Sequence, residues 1–333
     1  MSKQSLSPAV LVQLAPEIAA RIHISLLQWY QAEQRDLPWR STNDPYAILV
    51  SEIMLQQTQV DRVLPKYQQF LAAFPTLTDL AQASTAAVIT VWAPLGYNRR
   101  AVSLQAIARQ VIAEYDGRIP DTIDELLKLK GIGRYTAGAI ACFAYGKQVA
   151  TVDTNIRRVL HRVFFGLEFP EPKLNDTQML TFAEQVLPTG EAYHWNQALM
   201  DLGATHCTSS NPRCTACPLQ AACCAYTEMK EHSLFPSGTV LRELRKVAEK
   251  KSDYKTLPAR PLQPFTSTNR YFRGRIIDLL RTTPAGQRIP LTDLGVQIKP
   301  TFKQDDLPWL QKLVDGLVKD GLLDCANDGV CLP

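Results

Sequence analysis

Four cysteines stand close together in the sequence, Cys207, Cys214, Cys217 and Cys223, separated by six, two and five residues. Four thiolates in so short a loop can hold a [4Fe–4S] cluster or a tetrahedral zinc ion. Zinc sites commonly bring two C-x2-C knuckles, and only Cys214 and Cys217 have that spacing. Cys224 adjoins a proposed ligand and reads as a bystander that could in principle substitute for it, while Cys142, Cys325 and Cys331 read as core or tail residues. Five of the eight cysteines fall between 207 and 224, which points to metal binding in a reducing compartment rather than to secreted disulfides. A second candidate is Lys130-Gly131-Ile132-Gly133-Arg134. Two glycines at i and i+2 permit a tight turn between helices and leave backbone N–H groups at a helix start to meet a phosphate. The third is a pair of carboxylates. Glu52 sits in Tyr46 to Thr58, an almost wholly apolar run, and if buried there it would have its pKa raised by desolvation, as a proton donor needs. Asp153 opens Asp-Thr-Asn-Ile-Arg-Arg, where it would cap a helix and stay ionised to face a developing positive charge.

The elements that must position these groups are helices. Apolar residues recur at helical spacing, as in Leu64, Tyr67, Phe70, Leu71 and Phe74, and Asp44-Pro45 supplies an N-cap followed by proline at N1 ahead of Glu52. Stops such as Phe74-Pro75, Ile119-Pro120 and Leu187-Pro188 punctuate residues 8–226, so this stretch is expected to be an all-α domain. Residues 227–264 lose the periodicity and read as a basic linker. Residues 265–333 carry two amphipathic patterns, Arg270 to Arg281 and Leu307 to Asp320, and a hairpin-like tail, which suggests a small winged-helix-like module. The 333 residues are 46% hydrophobic and 20% charged, enough for two cores and too apolar for a disordered chain. No run approaches a membrane span and no signal-peptide pattern opens the chain, so a soluble cytoplasmic protein with no membrane partner is expected. The formal charge of +4 is uneven: residues 1–226 hold 19 basic and 19 acidic side chains, whereas 230–260 hold eight against four.

In this order the pieces resemble the helix-hairpin-helix DNA glycosylases, and among them the A/G-specific adenine glycosylases of the MutY family. The resemblance runs from about Leu26 to Tyr226 and rests on Leu37-Pro-Trp-Arg40, Ser51-Glu-Ile-Met-Leu-Gln-Gln-Thr58, Leu95-Gly-Tyr97, Gly131-Ile-Gly-Arg-Tyr-Thr-Ala-Gly138, Val152-Asp-Thr-Asn155, Asn196-Gln-Ala-Leu-Met-Asp-Leu-Gly203 and the four cysteines. It implies a two-lobed helical fold with an iron–sulfur loop, duplex DNA carrying a mispaired or lesion-opposed base as partner, and base excision repair as the activity. It implies further that Glu52 protonates adenine and Asp153 stabilises an oxocarbenium-like sugar, with Tyr135 and Asn155 beside that centre. Gln57 and Tyr97 match side chains that enter the duplex around the mispair; Arg35, Trp39 and Asp201 match positions near the flipped adenine; Lys130, Gly131, Gly133 and Arg134 match the hairpin that meets DNA. Endonuclease III-like relatives place a lysine where Tyr135 stands. Tyrosine cannot form a Schiff base with the sugar, so a monofunctional glycosylase is expected.

The chain departs from the family pattern at three places. Lys130 replaces the hairpin's usual proline, Thr154 stands where glycine is frequent, and residues 265–333 are too short and too helical to match the NUDIX-like domain that reads 8-oxoguanine. Two other functions share parts of the pattern: a mismatch thymine or uracil glycosylase, and a non-catalytic iron–sulfur DNA-binding protein. Both carboxylates argue against the second.

Overall fold

The computed structural model describes residues 16–167, 174–231, 264–284 and 286–333. Residues 8–15 of the expected domain and most of the basic linker lie outside them. The linker's first residues, 227–231, continue helix α12 rather than leaving it. By packing, the chain divides into two units that interleave in sequence, one of residues 1–43 and 137–255, the other of 44–136 and 256–333.

The first unit is built around α1 (Pro16–Glu33), α9 (Thr154–Phe165), α10 (Asp176–Gln185) and α11 (Ala192–Thr205), with the short α12 (Cys224–Glu231) packed on α9. Its core gathers Ile22, Leu26 and Tyr30 from α1, Ile156, Val159 and Val163 from α9, and Trp195 and Leu202 from α11. α9 and α11 come very close. A methyl group added at Gly203 would lie 2.9 Å from the Asn155 Cβ, so glycine is what lets the two helices meet.

The second unit begins with α2 (Pro45–Leu55), α3 (Val60–Ala73), α4 (Leu77–Gln82), α5 (Thr85–Trp92), α6 (Arg99–Glu114) and α7 (Ile123–Leu126). Asp44 caps α2 by accepting the Tyr46 amide at 3.0 Å, with Pro45 at N1, as the sequence predicts. Tyr46 to Met54 are all buried, so α2 runs through the middle of its unit, as a helix apolar on every side must. α8 (Arg134–Phe143) crosses the division at Thr136 and Ala137.

The C-terminal residues form the expected helices and hairpin: α13 (Asn269–Thr282), α14 (Leu291–Ile298), α15 (Leu307–Lys319), then antiparallel β1 (Asp324–Ala326) and β2 (Gly329–Cys331), with Ile289 bridged to Val330. Three helices are thus followed by a two-stranded hairpin to which Ile289 is bridged. The module packs within the second unit. Ile89 of α5 lies in the module's own core, Val102 of α6 packs against it, the Pro333 carbonyl accepts the Ala86 amide at 2.7 Å, and Arg281 donates to the Asn98 side chain at 2.9 Å. Among the described residues no helix is long and apolar enough to cross a membrane.

Candidate active site

Asp153 is the N-cap of α9. Its Oδ1 accepts the Ile156 amide at 2.7 Å and its Oδ2 accepts the Asn155 side-chain amide at 3.0 Å. Both oxygens are therefore engaged by neutral donors, and the carboxylate is half-buried. The segment leading into the cap is pinned from α11: Asn196 accepts the Thr151 amide at 3.0 Å and donates to the Val149 carbonyl at 2.9 Å. The sequence marks Asn196 only as part of a motif; the structure gives it the task of fixing the chain two residues before Asp153.

Asn155 is itself held. Arg158 donates to its Oδ1 at 2.9 Å, to the Gly203 carbonyl at 2.8 Å and to the Cys207 carbonyl at 2.8 Å. One guanidinium thus ties the residue that orients Asp153 to the first cysteine of the quartet. Arg162, one turn further along α9 and 5% exposed, donates to the carbonyls of Thr208 and Ser209 and lies 3.7 Å from the Cys207 sulfur.

Cys207, Cys214, Cys217 and Cys223 line one cavity, and Cys224 does not; it is exposed at the start of α12, its sulfur toward the Phe164 carbonyl. Burial pushes the Cys217 thiol up to about 11 and the Cys223 thiol to about 12, and the neighbouring thiolates push the same way. Thiols raised as those of Cys217 and Cys223 are ionise readily only when a cationic group shares their cavity. The donor set is thus compatible with a bound iron–sulfur cluster. Among the described residues no three His, Cys, Asp or Glu side chains gather into the compact group that one ion would need.

Asp201 on α11 is fully buried. Arg35 reaches it at 2.6 and 2.7 Å, Arg40 at 2.7 and 2.8 Å, and the Arg35 amide also donates to it at 3.1 Å. Burial alone would raise the Asp201 carboxyl, but the hydrogen bonds from Arg40 and the charges of Arg40 and Arg35 outweigh it and hold the group below the usual carboxylate range. Trp39 lies in a one-turn helix, Pro38–Arg40, at 7% exposure. The Asp201 carboxylate is spent on two arginines, so it would act on a ligand only through Arg35, whose side chain is 29% exposed.

In the second unit Glu52 is buried in α2 at 7% exposure. The C-terminal end of α2 is gripped by Arg100, whose guanidinium donates to the carbonyls of Ile53 at 3.0 Å, Met54 at 2.8 Å and Gln56, and to the Thr58 hydroxyl at 2.9 Å. Burial lowers Arg100 to about 10, with Tyr97 acting the other way. Gln57 and Tyr97, both exposed, have φ of 55° and 48°, left-handed values that cost a non-glycine residue on the order of 1 kcal/mol or more. Arg100 lies 5.5 Å from the Tyr97 ring centroid.

The hairpin turn places Lys130, Gly131, Gly133 and Arg134 at the surface around a buried Ile132. Gly131 has φ of 110°, which explains the glycine; Gly133 has open space about it. Two amides of the turn are used internally, that of Lys130 by the Gln110 side chain at 3.1 Å and that of Ile132 by the Leu129 carbonyl at 3.0 Å. Tyr135 is half-buried in the first turn of α8. Arg40, Arg100, Arg158 and Arg162 were invisible as site residues in the sequence, because their partners lie far along the chain.

Residues 50–184 match the HhH-GPD superfamily of base excision DNA repair proteins. The adenine DNA glycosylase of Mycolicibacterium smegmatis is 38% identical over 315 residues, which cover 92% of this chain and 94% of that protein. That of Homo sapiens is 43% identical over 225 residues, 65% of this chain and 41% of the human protein. Among solved structures, a thermostable thymine-DNA glycosylase superposes with a TM-score of 0.60 at 32% identity, covering 64% of this chain and 98% of the other.

Proposed function

The chain belongs to the adenine DNA glycosylases of the HhH-GPD superfamily, and on that premise we propose that it hydrolyses the N-glycosidic bond of adenine mispaired with 8-oxoguanine or guanine in duplex DNA. The observation that carries the mechanism is the fixing of Asp153 by the Ile156 amide and the Asn155 side chain. A carboxylate held in this way needs no rearrangement when positive charge develops on the sugar, and electrostatic stabilisation prepared in advance is the most effective kind.

The target base leaves the stack before reaction. Adenine is a poor leaving group as an anion. Protonation of a ring nitrogen lets it depart neutral, and Glu52 supplies that proton from within α2. The glycosidic electron pair goes to the base, the sugar becomes oxocarbenium-like, and Asp153 faces it until water adds to the anomeric carbon and gives up a proton. Tyr135 offers no amine to the sugar, so the abasic strand stays intact. Cys207, Cys214, Cys217 and Cys223 would hold a [4Fe–4S] cluster, which would supply a negatively charged anchor for the loop; Arg162 lies beside the Cys207 sulfur, and Arg158 connects the Cys207 carbonyl to Asn155. Lys130 and Arg134 meet phosphates through the hairpin and fix register without reading sequence.

The thymine-DNA glycosylase likeness supports a second reading, removal of thymine or uracil from mispairs with guanine. Purified protein incubated with duplexes containing A:8-oxoG, A:G, T:G and U:G, followed by alkaline cleavage, separates the two. Adenine excision without borohydride-trapped covalent product is expected; release of thymine or uracil and no adenine would overturn the first reading.

A further inference from the structure

Within the second unit, the C-terminal module and the segment around Tyr97 enclose a cleft of about 760 Å³. Six arginines line it, Arg62, Arg99, Arg100, Arg270, Arg273 and Arg281, against two aspartates, Asp278 and Asp320. Four of the six are already engaged. Arg100 holds the end of α2, Arg62 donates to the Pro94 carbonyl at 2.8 Å, Arg281 is shared between Asp278 and Asn98, and Arg273 pairs with Asp320 at 2.5 Å.

Arg99 and Arg270 are different. The Arg99 side chain is 75% exposed and only 3.7 Å from an Asp320 that Arg273 already occupies. Arg270, exposed at the start of α13, lies with its guanidinium 4.6 Å from the centroid of the Tyr97 ring, and no carboxylate pairs with it among the described residues. Two aromatic rings share the cleft and face solvent, Tyr97 at 45% and Phe265 at 60% exposure. Cations and exposed rings interleaved in one groove are what a nucleic-acid backbone and its bases recognise. A module that served only to cover α5 and α6 would have no use for a guanidinium and a phenyl ring turned to water.

We infer that the C-terminal module is a second DNA-contact element. Arg270 and Arg99 bind phosphates of the duplex in this cleft, and Arg270 at the same time holds the Tyr97 ring. A guanidinium can do both, since its plane stacks on the ring while its edge donates to a phosphate. Arg270 is a positioning residue with respect to the chemistry. The contact rests on the duplex-DNA reading above, and it gives a chain whose residues 1–226 are formally neutral a local positive surface assembled from two distant segments.

The test is the salt dependence of binding by the full chain to an undamaged duplex, for wild type, Arg99→Ala, Arg270→Ala and Arg270→Lys. Each alanine variant should lower the slope of log Kd against log salt by about 0.9, the value for one lost phosphate contact. Arg270→Lys should keep the slope yet slow single-turnover excision at A:8-oxoG, because an ammonium does not stack as a guanidinium plane does. Unchanged slopes in both alanine variants overturn the inference. So does a lowered thermal midpoint for Arg270→Ala with the slope intact, since that is the signature of an arginine that only fastens the module. If wild type binds and the slopes fall as stated but no duplex loses adenine, the cleft stands and the assigned reaction falls.

Discussion

Replacing Asp201 with asparagine tests the electrostatic arrangement behind Arg35 and Trp39. Asparagine keeps the shape and removes the charge, leaving two guanidiniums facing a neutral amide. Removing one partner of a buried ion pair costs about 3–5 kcal/mol, because the other charge is left uncompensated. Here the two arginines are unequal. The Arg40 side chain is 8% exposed and cannot turn to water, whereas Arg35 at 29% can. The Arg35 share is therefore screened, and the lower end, about 3 kcal/mol, is the expected loss. At roughly 2–4 °C per kcal/mol for a unit of this size, the thermal midpoint should fall by roughly 6–12 °C. The pH dependence supplies a second, independent check. Asp201 titrates below its ordinary value in the folded protein, so its contribution is fully present above the unfolded carboxylate pKa of about 3.9 and is lost as pH falls through the lower folded value. Wild type and Asp201→Asn should therefore differ by a constant amount from pH 8 to about 5 and converge only in stronger acid. Denaturant unfolding of both proteins across that range is the assay. A gap below about 1 kcal/mol, the worth of an exposed pair, or a gap that closes already near neutrality, would refute the argument.

Four further outcomes follow from the site. Glu52→Gln should slow adenine excision by about 10²–10⁴-fold, the usual worth of a general acid, while duplex affinity measured by titration stays at the wild-type level. Arg158→Gln loses the link from Asn155 to Cys207 and Gly203, so single-turnover excision should fall about 10–100-fold, as for an outer support of a metal ligand; equal rates would show that Asn155 needs no such support. Gly203→Ala drives a methyl group against Asn155 and should cost about 1–3 kcal/mol in denaturant unfolding, with a fall in excision rate that an ordinary helix glycine would not produce. Purified protein should be brown and contain iron and acid-labile sulfide; stoichiometric zinc in colourless protein would remove the cluster from the account.

Much of the scaffold is legible from local rules. Asp44-Pro45 announces α2, the all-round apolarity of Tyr46 to Met54 announces that α2 is central, and the aspartate before Thr154-Asn155 announces a cap. The cysteine spacing picks out four of the clustered thiols without excluding Cys224; in the structure those four line one cavity and Cys224 does not. Two kinds of fact are not local and so stay hidden. Arg40 finds Gln197 and Asp201 about 160 residues on, and Arg100 finds the carbonyls of α2 about 45 residues back; an arginine's own neighbours in sequence say nothing of such partners. The division into units is hidden for the same reason. The described C-terminal residues, 264–333 without 285, pack with 44–136, because Ile89 and Val102, on different helices, present the apolar surface that the module covers.

The use of charge illustrates why counting along the chain misleads. Arginine serves two ends here, and exposure separates them. Arg40, Arg100, Arg158 and Arg162 point inward, toward a carboxylate, backbone carbonyls and a cysteine loop, where the low dielectric makes each hydrogen bond strong and each unpaired partner costly. They fix Asp201, the end of α2, Asn155 and the cysteine loop, and nothing of their charge is on offer to a polyanion. Arg99 and Arg270 point outward beside aromatic rings, where water screens them until a phosphate displaces it. A protein can therefore be neutral over two thirds of its length and still bind DNA, provided its acids and some of its bases neutralise one another indoors. The arginines left over must then meet at one surface, as Arg99 and Arg270 do in the cleft beside Tyr97.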